Sequence, residues 1–302
     1  MEHPIFRQFT GEADLFQMIA LSRRFPEGNL HVTDLPYRLS SWAVDDPENT
    51  ALWLDDAGHL QAWAILQTPF WTIDYAIHPA KEKDLHPQIL VWAEQRARQS
   101  QGTPSGRPTW FVNVFSNQMQ RIRDLEKAGF TCQANVGENS WSKVFLKRPA
   151  SAPIPANPLS SAFTMRPLAG EDDVEAYVEL HQSVFESKNM TSAWRRRILH
   201  HPAYRPDLDL VAVDERDRLA AFCIAWLNPP AGQIEPLGVH ADFRNSGLGR
   251  ALLSENLRRL QYYGAKNIFV ETDNYRNAAL ALYESTGFRI FQDVLVFRKD
   301  YA

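Results

Sequence analysis

IEPLGVHADFRNSGLGR, residues 234–250, is the stretch that decides the fold of the second half of this chain. It is typical of a strand end, a loop that contains Gly247 and Gly249, and the first turn of a helix. Such a first turn has unpaired N–H groups and a partial positive charge. Glycine has no Cβ, so a bulky anion can approach this backbone closely, and Arg244 and Arg250 add cationic donors. The loop is therefore suited to a pyrophosphate, although glycines packed tightly for steric reasons give the same short pattern.

Two other phosphate-binding loops are excluded by the spacing of these residues. A P-loop requires Gly-x-x-x-x-Gly-Lys-Ser/Thr, and no Lys-Ser or Lys-Thr follows the glycines here. A dinucleotide-binding fingerprint requires a third glycine after Gly-x-Gly-x-x, and that position is Leu252. The pattern therefore indicates a different kind of phosphate-binding fold.

Hydrophobic periodicity around this stretch predicts alternating strands and helices. The expected strands are 163–166, 208–213, 219–227, 233–239 and 268–271, followed by two closing strands. The expected helices are 171–185, 192–200, 248–263 and 276–286. This order predicts an α/β fold in which a mixed sheet has helices on its faces.

The composition is that of an ordinary globular protein. The chain has 302 residues, 44% hydrophobic and 23% charged, which excludes disordered, collagen-like and disulfide-rich proteins. A formal net charge of −4 lacks the positive field of a typical nucleic-acid-binding protein. Cys132 and Cys223 form neither a metal-ligand pattern nor a disulfide framework, and we find no signal peptide or membrane helix. We therefore expect a cytoplasmic protein with no metal site, no nucleic-acid partner and no membrane association.

A proline-rich segment divides the chain into halves of similar length. Residues 148–162 contain four prolines and no apolar periodicity, which disfavours helix and central strand. We expect an interdomain linker here, between a first domain of residues 1–147 and a second of residues 163–302. The alternative is a long surface loop inside one domain. The two halves also resemble each other in sequence pattern. Residues 124–130 and 282–288 each end a helical pattern with Gly-Phe, and each is followed by a last strand. This repetition predicts that the same fold occurs twice in the chain.

Two motifs in the second half occur together in an order typical of a known family. Arg244-Asn-Ser-Gly247-Leu-Gly249 fits in full the pyrophosphate pattern Gln/Arg-x-x-Gly-x-Gly/Ala of the GNAT superfamily of acetyl-CoA-dependent N-acetyltransferases. Further along, residues 279–288 resemble that family's second signature, in which a tyrosine lies four residues before Gly-Phe. The resemblance covers residues 163–302, and residues 1–147 share it only weakly. It implies two tandem GNAT-like domains, each a mixed β-sheet flanked by helices.

This resemblance implies roles for particular residues. Backbone groups of Leu237, Gly238 and Val239 would hold the pantetheine arm of acetyl-CoA, and one N–H there would polarise the thioester carbonyl. Tyr283 would protonate the leaving thiolate, and the alternative is a helix residue that packs its ring on the core. The pyrophosphate would be held by Arg244, Asn245, Ser246, Gly247, Leu248, Gly249 and Arg250.

A general base is also required, because a protonated amine cannot attack a thioester. Glu235 is the first candidate, since family members often use a carboxylate near this strand; it could equally be a solvated strand residue or an anchor for the substrate ammonium. His240 is a second candidate, acting directly or through water, although it could merely border the cofactor. The family's cofactor-facing asparagine corresponds to Arg276 here, so Asn274 or Asn277 would have to replace it.

The first half lacks the equivalent chemistry. A strand at 71–77 is followed by residues 78–87, which end in Pro87, and a helix is expected from 88 to 99. No glycine occurs between Gly58 and Gly102, where the pyrophosphate loop should lie, and Leu125 stands at the tyrosine position. We therefore expect a degenerate domain that does not bind acetyl-CoA, packs on the second domain and walls the acceptor site. A residual ligand pocket is the alternative, although aromatics that alternate on strands more often form core. The aromatics concerned are Trp63, Trp71, Tyr75 and Trp110.

Together these patterns predict an acetyl-CoA-dependent N-acetyltransferase whose acceptor is a primary amine of a small molecule. Two alternatives remain open, namely acetylation of a protein N-terminus or lysine, and a catalytically silent acyl-CoA-binding sensor or scaffold. Acceptor specificity in this fold depends on variable helices and loops, so the sequence leaves the identity of the amine open. It leaves the oligomeric state open as well.

Overall fold

The computed structural model describes residues 5–301. Its strands are β1 (Ile5–Gln8), β2 (Thr50–Leu54), β3 (Leu60–Gln67), β4 (Thr72–Ile77), β5 (Thr109–Phe115), β6 (Thr131–Cys132), β7 (Lys143–Pro149), β8 (Phe163–Pro167), β9 (Asp209–Asp214), β10 (Leu219–Asn228), β11 (Ala231–Val239), β12 (Asn267–Asp273) and β13 (Arg289–Asp300). Its α-helices are α1 (Glu12–Arg24), α2 (Leu35–Leu39), α3 (Glu82–Gln99), α4 (Met119–Lys127), α5 (Val174–Phe185), α6 (Ser192–His200), α7 (Leu248–Tyr262) and α8 (Asn277–Ser285). Short 3₁₀ turns connect several of them.

The chain forms two compact units whose limits differ from the expected linker. Unit 1 comprises the residues up to Lys143 together with those from Gln292 onward, and unit 2 comprises Val144–Phe291. Strand β7, expected to close the first domain, therefore belongs almost wholly to unit 2, and most of β13 belongs to unit 1. The composition of the chain changes at the prolines, whereas the units follow strand pairing, and this is why the two divisions disagree.

Unit 1 is a mixed sheet in the order β1-β2-β3-β4-β5-β13, with β6 paired to β13. Its pairs are antiparallel except β4 with β5, which are parallel and pair only through Thr72 and Phe111. Strand β13 pairs with the whole of β5, from Thr109 to Phe115. Two of the four aromatics named above, Trp63 and Trp110, are fully buried in its core.

Unit 2 is a second mixed sheet, in the order β7-β12-β11-β10-β9-β8. Helix α7 covers one face with a row of fully buried leucines, and α5 covers the other, where the rings of Tyr177 and Phe222 pack 5.0 Å apart. The expected linker is packed on this unit: the Ala150 N–H donates to the Lys266 carbonyl at 2.9 Å, and Ile154 lies against the core. Residues 150–162 of the expected linker are therefore in contact with unit 2.

Two element predictions were wrong. Helix α3 begins at Glu82 and contains Pro87, whereas the proline was expected to precede the helix. A proline removes one backbone hydrogen bond, and α3 is long enough to tolerate that loss in its second turn. The two expected closing strands are one continuous strand, β13. Within residues 5–301, no helix combines the length and apolar character needed to cross a membrane.

Candidate active site

A wedge between β11 and β12 is the main feature of unit 2. The two parallel strands pair only where Ala231–Gln233 lies beside Asn267–Phe269. Beyond that point β11 continues to Val239 and β12 to Asp273, but their residues are no longer paired with each other. The far side of β11 stays paired with β10. The wedge therefore leaves main-chain edges facing a gap, where an extended ligand can pair as an added strand.

A β-bulge places Glu235 at this gap. Cys223 lies opposite Leu237 and Ala225 opposite Ile234, so one residue of β10 faces both Glu235 and Pro236. The indole Nε1 of Trp226 donates to the Glu235 carbonyl at 2.8 Å, which satisfies an acceptor that the bulge removes from the ladder. Since Ile234 packs in the core under α7, strand alternation places the Glu235 side chain on the α5 face.

The glycine loop follows β11 directly and is open to solvent. The Nδ1 atom of His240 accepts the Asp242 N–H at 3.2 Å and so begins the 3₁₀ turn Ala241–Phe243. The next residues, Arg244 to Gly247, are all exposed. Gly247 caps α7 with φ +83°, in the left-handed region that favours glycine.

The residues of this loop fit a diphosphate. A Cβ built on Gly247 would have the Asn157 amide as its nearest neighbour, at 3.9 Å, so no side chain plugs the bend. The first turn of α7 contains no acidic residue, and Arg250 is exposed at its start. A helix N-terminus that has no side-chain cap, with cations beside it, is suited to bind an anion.

The other two glycines of the motif region serve packing. A Cβ on Gly249 would lie 3.3 Å from Val239 Cγ2, so this glycine lets α7 approach β11 closely. A Cβ on Gly238 would lie 2.6 Å from Phe222 Cζ, which leaves no room for a side chain on the α5 face. Leu248 and Gly249 are buried, whereas the other predicted loop residues are exposed. Gly249 is therefore needed for close packing of the helix on the strand. Any contribution of Gly249 to anion binding is through its backbone.

Tyr283 is within electrostatic range of Glu235, although the two are far apart in sequence. It stands in the last turn of α8, and its ring packs edge-on against Phe288 with centroids 5.8 Å apart. Burial raises the pKa of the Tyr283 phenol, and the negative charge of Glu235 raises it further. A phenol with a raised pKa keeps its proton at neutral pH. The ring is thus packed on the core, as the alternative interpretation required, while its hydroxyl is within electrostatic reach of Glu235.

The remaining predicted residues lie at the start of α8 and directly after β11. Asn274 and Asn277 are both exposed, and Asn277 is the first residue of α8. Arg276, at the N-cap, pairs with Asp273 at 2.8 Å. His240 uses its Nδ1 atom to cap the 3₁₀ turn, so Nε2 is the nitrogen left to act on a ligand. Over residues 5–301, no group of three or more His, Cys, Asp or Glu side chains is arranged to hold a metal ion.

Comparison with known proteins agrees with this geometry. Residues 174–288 match the model of the acetyltransferase (GNAT) family. This part of the chain is similar to the GNAT acetyltransferases. A mycothiol acetyltransferase from Salinispora arenicola is 32% identical over 155 residues, which are 47% of this chain and 50% of that protein. The chain spans about half the length of the curated relatives it matches.

Solved structures extend the GNAT fold to nearly the whole chain. A GCN5-related N-acetyltransferase from Sphaerobacter thermophilus has a TM-score of 0.67 at 19% identity, covering 98% of this chain and 95% of that one. A tandem GNAT protein from the clavulanic acid biosynthesis pathway has a TM-score of 0.65 at 12% identity, covering 99% and 98%. The predicted resemblance and the α/β fold of tandem GNAT-like halves are confirmed.

Unit 1 repeats the GNAT architecture without its glycine loop. After β4, the His78 Nδ1 accepts the Ala80 N–H at 3.2 Å and begins a 3₁₀ turn, as His240 does in unit 2. Helix α3 then starts at once, so unit 1 has no counterpart of residues 244–247. The first turn of α3 carries Glu82 and Asp84, whose charges oppose an anion. The side chain of Leu125, at the tyrosine position, is fully buried.

Tyr177 is a GNAT-site candidate that the sequence analysis did not identify. It lies on α5, is fully buried, and its hydroxyl has no hydrogen-bond partner among the described residues. Burial raises the pKa of this phenol, and the charge of Glu235 adds to the effect. The guanidinium of Arg195 lies 3.9 Å from the centre of its ring. An aromatic on an amphipathic helix is usually a core residue, so nothing in the sequence distinguished this one.

Proposed function

We propose that this chain transfers the acetyl group of acetyl-CoA to a primary amine of a small molecule. The observation that carries the proposal is the combination in unit 2 of an open strand wedge, an exposed glycine bend at a helix N-terminus, and a carboxylate on β11 within electrostatic range of the Tyr283 phenol. Acetyl-CoA, when bound, supplies an acetyl group activated as a thioester. The match of residues 174–288 to the GNAT family supports this donor.

The chain's own residues divide into those that hold the donor and those that move protons. Backbone groups of 237–239 would hold the pantetheine arm along the wedge, and the loop from Arg244 to Arg250 would hold the diphosphate. Glu235 would accept the proton that the amine must lose before it attacks. Tyr283 would give its proton to the departing sulfur, since its raised pKa keeps it protonated until then.

The small-molecule acceptor has separate support. Several curated relatives carry the name mycothiol acetyltransferase, and we extend a small-molecule acceptor to this chain from that name. Acetylation of a protein N-terminus or lysine is the second candidate within the family. A silent acyl-CoA-binding sensor has no need of Glu235 and Tyr283 within electrostatic reach of each other, so their proximity favours the enzyme.

We further propose that unit 1 does not bind acetyl-CoA. The missing bend and the acidic first turn of α3 support this proposal. Titration of the whole chain with CoA should then give one site per chain. Two sites would contradict the proposal.

Release of free CoA thiol from acetyl-CoA in the presence of a panel of small amines tests the proposed reaction. We expect release with at least one amine, and a large loss of rate in Glu235→Gln, which keeps the size of the side chain but cannot take a proton. His240→Asn tests the second candidate base, because asparagine also caps a helix start and so preserves the turn that His240 begins. A rate close to that of the wild type would favour Glu235 as the base, and a comparable loss would favour His240. Tight CoA binding without thiol release across the panel would favour the sensor, and release with peptides alone would favour a protein acetyltransferase.

A further inference from the structure

Residues 150–162, which we call the strap, are fixed on unit 2 at both ends. At the start, the fully buried Arg148 donates from Nη2 to the Ala152 carbonyl at 2.8 Å, and the Ala150 N–H bonds to Lys266. At the end, the Phe163 N–H donates to the Ser160 carbonyl at 3.0 Å as β8 begins. Between them, Ile154 and Leu159 are half-buried against the core of unit 2. The strap therefore follows a defined path over this unit.

The middle of the strap contacts the glycine loop. The Asn157 Nδ2 donates to the Gly247 carbonyl at 3.2 Å. The same carbonyl accepts the Ala251 N–H at 3.0 Å, the first hydrogen bond of α7. A carbonyl oxygen and the next residue's N–H belong to one rigid peptide plane. Two donors on the Gly247 oxygen therefore fix the direction in which the Leu248 N–H points, at the start of the helix.

We propose that Asn157 is a positioning residue of the diphosphate site, which it serves by holding the Gly247–Leu248 peptide in the orientation that an anion requires. The inference rests on the proposed function, since it assumes that the loop binds the diphosphate of CoA. Pro155 and Pro158 flank Asn157 and restrict the backbone, so the amide is held in place at little entropic cost. The strap lies outside residues 174–288, so this contact is an addition to the part of the chain that matches the family.

Calorimetric binding of CoA and of pantetheine, which lacks the diphosphate, tests the inference without turnover. We expect Asn157→Ala to weaken CoA binding by about 2- to 10-fold, the effect of one lost hydrogen bond between neutral groups, and to leave pantetheine binding unchanged. Asn157→Asp should weaken CoA binding further, because it adds a negative charge beside the diphosphate. Ser151→Ala, at an exposed position of the strap, is the control and should bind both ligands as the wild type does.

The outcomes separate this inference from the proposed function. Wild-type protein that binds no CoA would refute the proposed function and this inference with it. If the wild type binds CoA and Asn157→Ala binds it equally well, only the role of Asn157 is refuted. Equal weakening of CoA and pantetheine would also overturn the role, because it would show a general disturbance of the unit.

Discussion

Gly247→Glu, compared with Gly247→Gln, gives the sharpest test of the anion site. Both side chains have the same length, and both force a residue with a Cβ into φ +83°. The backbone strain, roughly 1–2 kcal/mol, is therefore common to both variants and should lower their thermal midpoints by similar amounts. A Cβ at Gly247 would lie 3.9 Å from the Asn157 amide, which is an ordinary van der Waals contact, so neither variant clashes at its first side-chain carbon.

The difference between the two variants is one negative charge. At about 5 Å from a phosphate, with an effective dielectric constant between about 20 and 80, each pair of charges repels by about 1–3 kcal/mol. This corresponds to between about 5- and 150-fold weaker CoA binding by Gly247→Glu than by Gly247→Gln. Because the loop is exposed, salt should reduce the difference.

The assay is the Kd of CoA for both variants, measured by calorimetry at low and high ionic strength. Equal affinity of the two variants at low salt would refute the assignment of this bend to the diphosphate. A difference that does not respond to salt would show that the effect is not a repulsion between exposed charges.

Two further predictions concern proton transfer in unit 2 and a buried ion pair in unit 1. Tyr283→Phe should lower kcat by about 100-fold or more with little change in CoA affinity, as measured by thiol release and calorimetry, and an unchanged kcat would mean that another group protonates the sulfur. In unit 1, burial alone would raise the pKa of Asp74, but Arg38, which it contacts at 2.7 and 3.0 Å, outweighs burial and holds that pKa below its usual value. Asp74→Asn should therefore lower the free energy of unfolding by about 3–5 kcal/mol at pH 7. This difference from the wild type should shrink as the pH falls below about 4, because the carboxylate of the unfolded chain takes up a proton there while the native carboxylate stays ionised to lower pH. A difference between the urea-unfolding midpoints of the variant and the wild type that stays constant with pH would contradict this prediction.

Hydrophobic periodicity and capping residues predicted most helices and strands, because interactions between residues close in sequence determine where these elements begin and end. Helix α6 begins and ends where its pattern does, since Thr191 accepts the Trp194 N–H and caps it. The glycine bend was also predictable, because a left-handed cap at a helix start calls for glycine at Gly247. The start of α3 was missed because Pro87 is a helix breaker by propensity, and only the folded context shows that the helix tolerates it.

Features that depend on long-range pairing could not be read from the sequence. The strand patterns of β7 and β13 are the same whichever sheet they join, so periodicity does not reveal that they lie in units other than those expected. The proximity of Glu235 and Tyr283 was implied by the family resemblance, since no local pattern encodes a distance between them. No sequence pattern indicated that Asn157 contacts the glycine loop, because a single asparagine among prolines is typical of a linker.

The placement of β13 has a consequence for how this protein is made. Unit 1 lacks the strand that pairs with β5 until the ribosome has translated about 150 further residues beyond Lys143. At about 5–20 residues per second, this delay is roughly 8–30 s. During that time the backbone groups of Thr109–Phe115 that later bond to β13 stay open to other chains and to chaperones. Of these two units, the one whose synthesis starts first is therefore the one completed last.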